Sequence, residues 1–88
     1  EEFVIMFPGV SLKEAEGICE RLRKTVESKI FEAEEHLINI TVSIGLSCLD
    51  LSESNQVKKF IKSVDDLLYT AKNSGKNCIV SEDYLEAV

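Results

Sequence analysis

Eighty-eight residues, 44% of them hydrophobic, suffice for one small domain with its own core. A formal charge of −6 argues against nucleic acid as the main partner, since backbone binding needs clustered Lys and Arg to displace counterions. No apolar run is long enough to span a bilayer and no signal-peptide pattern stands at the start. The segment is therefore expected to be cytoplasmic, without direct membrane contact, and membrane anchoring of a larger parent through other domains stays open.

In chain order, residues 3–7 form a continuous apolar run, which predicts a strand buried on both faces, ended by Pro8-Gly9. Ser11 with Glu14 three residues later is a capping-box signature. Leu12, Ala15, Ile18, Cys19, Leu22 and Val26 then recur at helical spacing, with Gly17 inside the helix as a candidate for close packing. From Ile38 to Cys48 the period changes to two: Ile38, Ile40, Val42, Ile44, Leu46 and Cys48 alternate with Asn39, Thr41, Ser43, Gly45 and Ser47. This predicts one long strand with a greasy face and a face of small residues able to admit a helix or a neighbouring backbone. Residues 30–36 are a candidate hairpin partner.

A polar loop, LSESNQ, leads to a second helix from about Val57 to Asn73, with Val57, Phe60, Ile61, Val64, Leu67, Leu68 and Ala71 on one stripe. Gly75 stands where a left-handed C-terminal residue is expected, NCIV closes as a strand, and residues 81–88 read as a tail. The order is β-α-(β)β-α-β, an α/β sandwich. Cys19, Cys48 and Cys78 cannot all pair within one chain and lack C-x-x-C spacing, so they read as buried small hydrophobes in a reducing compartment.

A few positions carry possible chemistry. Glu1 and Glu2, at the head of the first strand, are either a solvated end or carboxylates for Mg²⁺, which takes one or two protein acids plus phosphates and water. Lys72 and Lys76, four apart at the end of the second helix, either complement its dipole or clamp a polyphosphate. His36 is the only histidine and reads as a surface residue; Ser43 has no nucleophile-elbow context.

The stretches EEFVIMFPGVSLKEAEGICERLR, ITVSIGLS and VDDLLYTAKNSGKN, in that order, resemble the second half of a GGDEF domain, the diguanylate cyclase family. The resemblance covers residues 1–80, with 81–88 left as the tail, and implies part of a nucleotidyl-cyclase-like α+β fold with helices packed on a mixed, mainly antiparallel sheet. It implies an enzyme that condenses two GTP into cyclic di-GMP and pyrophosphate in bacterial signalling, using Mg²⁺ or Mn²⁺ across a homodimer. The family signature reads Gly-Gly-Asp/Glu-Glu-Phe, and Glu1, Glu2 and Phe3 match its last three positions. By resemblance, Glu1 and Glu2 are catalytic, and Glu1 is the metal ligand. Lys72 and Lys76 bind the substrate phosphates, Lys76 standing where arginine is usual and so lacking the bidentate fork. Arg21 matches a helix arginine that in some members helps form an inhibitory product site, although its partner motif, R-x-x-D, is not among these residues.

The resemblance also implies residues not found here: the paired glycines, a further metal-binding aspartate and the guanine-recognising side chains. The chain is accordingly expected to be the C-terminal half of such a domain, inactive alone. Two other readings stay open on the sequence: a degenerate domain that binds GTP or cyclic di-GMP as a regulatory module, and an α/β interaction module whose likeness is one of fold only.

Overall fold

The computed structural model describes residues 2–49 and 56–82. Helix α1 spans Leu12–Ser28 and begins as its capping residues predict. Ser11 Oγ accepts the Glu14 N–H at 3.1 Å and donates to Glu14 Oε1 at 3.0 Å, satisfying one of the orphan donors of the first turn. Ala15 and Cys19 form its buried stripe, whereas Leu22, expected on the same stripe, lies exposed. Gly17 is no site of close packing: a β-carbon there would meet open space.

The alternating segment is not one strand. It divides because its two halves take different partners. Strands β1 (Ile30–Ala33) and β2 (His36–Asn39) form an antiparallel hairpin in register Ile30↔Asn39 to Ala33↔His36, which accounts for the hairpin expected near residues 30–36. Its two-residue turn puts Glu34 and Glu35 at φ 49° and 69°, the positive values a type I′ turn requires. His36 is on the surface, as expected. Strand β3 (Ile44–Leu46) turns away to pair in parallel with β4 (Ile79–Ser81), in register Ile44↔Ile79, Gly45↔Val80 and Leu46↔Ser81. Parallel neighbours need a long crossover, and helix α2 (Gln56–Asn73) lies within it.

The β3–β4 ladder sits between the two helices. On one side Ala15, Cys19 and Leu46 are buried together, with Phe7, Val10, Leu12, Ile44 and Ile79 packed around them. On the other, Leu67 and Ala71 of α2 bury Val80, with Cys78 beside them. The small-residue face expected of β3 serves a definite purpose, because Gly45 lies against the backbone of α2. A β-carbon on it would fall 2.6 Å from Val64 O and 2.9 Å from Leu67 C, and would also collide with Leu68 N. The chain is thus an α+β fold, with one small antiparallel and one small parallel sheet.

Two further expectations change. Residues 3–7 join no ladder among the described residues, and Phe3 is 83% exposed. An apolar run becomes a strand only where a partner takes its backbone groups, and here only its end, Phe7, is packed. Of the cysteines, Cys19 is buried and Cys78 partly so, but Cys48 is exposed. No helix among the described residues is long and apolar enough to cross a membrane.

Candidate functional site

The candidate site forms where the N-terminal segment meets the last two turns of α2. Asp65, Leu68, Tyr69 and Lys72 recur at helical spacing and, with Glu2, line a cleft of about 180 Å³. Lys72 Nζ donates to Glu2 Oε2 at 2.8 Å, an ion pair whose side chains are both about half exposed. That hydrogen bond, reinforced by the ammonium charge, holds the Glu2 carboxyl below the usual carboxylate range. An acid and a cation therefore stand together in the lining of the cleft, beside the exposed ring of Tyr69.

The remaining site residues are distributed differently. Glu1 lies outside the described residues. Lys76 is exposed but not on the helix, which ends at Asn73. Spacing of four therefore does not carry both lysines along one helical face. The expected C-terminal motif is present: Gly75 has φ 106°, and the Lys76 N–H bonds to Ala71 O at 3.1 Å, the six-to-one bond of a Schellman motif. Arg21 lies in a separate, shallow hollow of about 520 Å³ along α1, with Lys13, Glu14, Gly17 and Ile18, and this hollow shares no residue with the cleft.

Asp65 and Tyr69 lie within the stretch VDDLLYTAKNSGKN but are not among the expected site residues. The signal for both was available, because positions 65, 68, 69 and 72 fall on one helix face ending at a lysine already singled out. As for a metal, the carboxylates of Glu2 and Asp65 are the hard oxygen donors that Mg²⁺ takes, but no three acidic, histidine or cysteine side chains converge among the described residues. Two carboxylates, one of them paired with the Lys72 ammonium, do not form a metal cage.

The chain is thus an α+β domain with helices on both sides of a parallel ladder and an acid–lysine pair beside the C-terminal end of one helix. Residues 1–78 match the family described as "Diguanylate cyclase, GGDEF domain", and the chain belongs to that family. It is 35% identical over 77 residues to Diguanylate cyclase A of Treponema denticola, covering 88% of this chain and 20% of that protein. Response regulator PleD of Caulobacter vibrioides is 34% identical over 84 residues, covering 93% of this chain and 18% of that protein. An uncharacterized membrane protein of Staphylococcus haemolyticus is 31% identical over 81 residues, 91% of this chain and 23% of that protein. The chain spans about a fifth of the length of these relatives.

Proposed function

We propose that these residues are the phosphate-facing part of a diguanylate cyclase, which joins two GTP molecules into cyclic di-GMP and releases pyrophosphate. The Glu2–Lys72 pair at the cleft carries the reading, because a carboxylate and an ammonium side by side are the groups a metal–triphosphate would take. Family membership over residues 1–78 and the name of the Treponema relative support it.

Phosphoryl-type transfer is governed by positioning and charge neutralisation. Lys72 and Lys76 would hold phosphate oxygens as point charges, stabilising the leaving pyrophosphate. Glu1, with Glu2 beside it in sequence, would supply a carboxylate to Mg²⁺ or Mn²⁺, and the cation when bound would offset negative charge on the triphosphate. A cleft of about 180 Å³ is below the ~300–1,000 Å³ typical of small-molecule sites, so it admits part of a nucleotide and leaves the base to other walls. These 88 residues alone should accordingly not turn over GTP, and two complete domains, each carrying one GTP, would face each other as a homodimer. Arg21, in its separate hollow, would serve product inhibition if it serves any ligand.

The test is to incubate the full-length protein with GTP and Mg²⁺ or Mn²⁺ and separate the nucleotides by chromatography. Cyclic di-GMP should form, and Glu1→Gln should abolish it while leaving the fold intact, since glutamine keeps the size but not the charge that a hard cation needs. Wild-type turnover in Glu1→Gln would remove Glu1 as a metal ligand. Absence of cyclic di-GMP from the full-length protein would overturn the reading.

A further inference from the structure

A second polar cluster lies away from the cleft, where α1 meets the turn after α2. Arg23, its side chain only 13% exposed, is gripped by Glu20 through two bonds, Nε to Oε2 at 3.0 Å and Nη2 to Oε1 at 2.5 Å. Its remaining arm, Nη1, donates to Asn77 Oδ1 at 3.0 Å, across 54 residues of sequence. Asn77 Nδ2 donates to Glu27, one turn further along α1, and the Asn77 backbone N–H donates to Ser43 Oγ at 3.0 Å. Asn77 is thereby tied to α1 through both ends of its amide and to the segment before β3 through its backbone.

The backbone explains why so many ties converge on one residue. Gly75, Lys76 and Asn77 all have positive φ, 106°, 63° and 49°. Terminating α2 requires only the glycine. Two further residues with side chains in the left-handed region persist only where the surroundings over-determine them. Asn77 is held from three directions and the Lys76 N–H from a fourth. The Lys76 side chain is left exposed and makes no ion pair among the described residues.

We infer that Arg23 and Asn77 are positioning residues, a latch from α1 that fixes the turn carrying Lys76 so that its ammonium is held ready for a phosphate. The inference rests on the proposed role of Lys76 in phosphate binding and assigns a task to two residues outside the cleft. Asn77 suits the latch because its amide both accepts from an arginine and donates to a carboxylate, and because asparagine tolerates positive φ. Arg23 suits it because the planar fork holds Glu20 with two nitrogens and Asn77 with the third, a fixed geometry that the single nitrogen of lysine does not give.

A double-mutant cycle on the full-length protein tests this, with inorganic triphosphate as the probe and calorimetry as the readout. Lys76→Ala should weaken binding about tenfold, as for loss of a charged hydrogen bond. Asn77→Gly keeps the left-handed backbone at no steric cost and removes only the side-chain ties; it should weaken binding about fivefold, and Arg23→Lys similarly. In a Lys76→Ala background neither change should weaken binding further, because both act through Lys76. Full additivity in that background would overturn the latch, as would wild-type binding by Asn77→Gly while Lys76→Ala binds weakly. Wild-type binding by Lys76→Ala would overturn the phosphate role itself and the latch with it. Thermal unfolding of each variant separates loss of fold from loss of position, and Arg23→Lys serves if Asn77→Gly does not fold.

Discussion

Glu2 and Lys72 stand 70 residues apart in the chain and meet at 2.8 Å, joining the N-terminal segment to the end of α2. Lys72 lies in the last turn of its helix, where a cation is favoured by the dipole, and the carboxylate in turn is held ionised by the ammonium. On the phosphate-binding role proposed for Lys72, a triphosphate entering the cleft would compete with Glu2 for its ammonium.

The titration of Glu2 should reveal that tie. Its folded pKa is lowered, chiefly by the hydrogen bond from Lys72. The pair's contribution to stability is therefore present above the ordinary carboxylate range and lost as pH falls through the lower, folded value. Carboxyl ¹³C shifts followed against pH should give a midpoint below that of a free glutamate, returning to the ordinary range in Lys72→Met. Because both groups are substantially exposed, 1 M salt should shrink the shift. An unshifted midpoint in the wild-type chain would mean that the pair does not persist in solution. In the full-length protein, the proposed function predicts that Lys72→Ala should lower kcat/KM for GTP about tenfold or more. Unchanged kcat and KM would remove Lys72 from the phosphate site.

Two glycines should respond in opposite directions to alanine. Gly45→Ala forces a β-carbon into the backbone of α2 at Val64 and Leu67, where no side-chain rotation can relieve the clash. A loss of about 1–3 kcal/mol or more is expected. Gly17→Ala enters open space on α1 and should stabilise by about 1 kcal/mol through helix propensity. Denaturant unfolding of both variants measures the difference. Equal effects would mean that β3 and α2 do not pack as closely as described.

These glycines also mark the boundary of what the sequence discloses. Helical periodicity located α1 and α2, and Ser11, Glu14 and Gly75 placed their caps, because those signals are local. The alternation that includes Gly45 correctly indicated a small face for close approach. It did not reveal that the segment splits between Asn39 and Ile44, because strand limits depend on partners elsewhere in the chain. Lys72 was singled out from spacing, but its partner Glu2 was placed beside it only by the fold. The Arg23–Asn77 contact spans 54 residues and leaves no periodic trace at all.

The cysteines should label in order of exposure. Cys48 is exposed and should react first with a thiol reagent, Cys78 next, and Cys19 only when the α1 core opens. Burial pushes the Cys19 thiol up. Its contribution to stability is present below the ordinary thiol range and is lost as pH rises through the raised value. Mass-spectrometric counting of labels over time decides the order. Early labelling of Cys19 under native conditions would show that the α1 side of the core is open.

Self-association of the 88-residue chain is the last expected outcome. Phe3, Val4, Ile5 and Met6 are all exposed, on a segment without ladder partners among the described residues. Leu37, 70% exposed on β2, adds apolar surface on a second element. Unpaired strand-like backbone offers a template for another chain, and contiguous apolar surface favours covering it. Sedimentation equilibrium over a range of concentrations should therefore show a dimer or larger species at tens of micromolar. Val4→Lys should shift the chain toward monomer without lowering its unfolding temperature, since Val4 is 82% exposed and a charge on an edge blocks strand addition. A chain that is monomeric and cooperatively folded at every concentration would mean that its apolar N-terminal segment is covered from within. Dimers persisting in Val4→Lys would place the contact elsewhere, with the Leu37 hairpin as the next surface to charge.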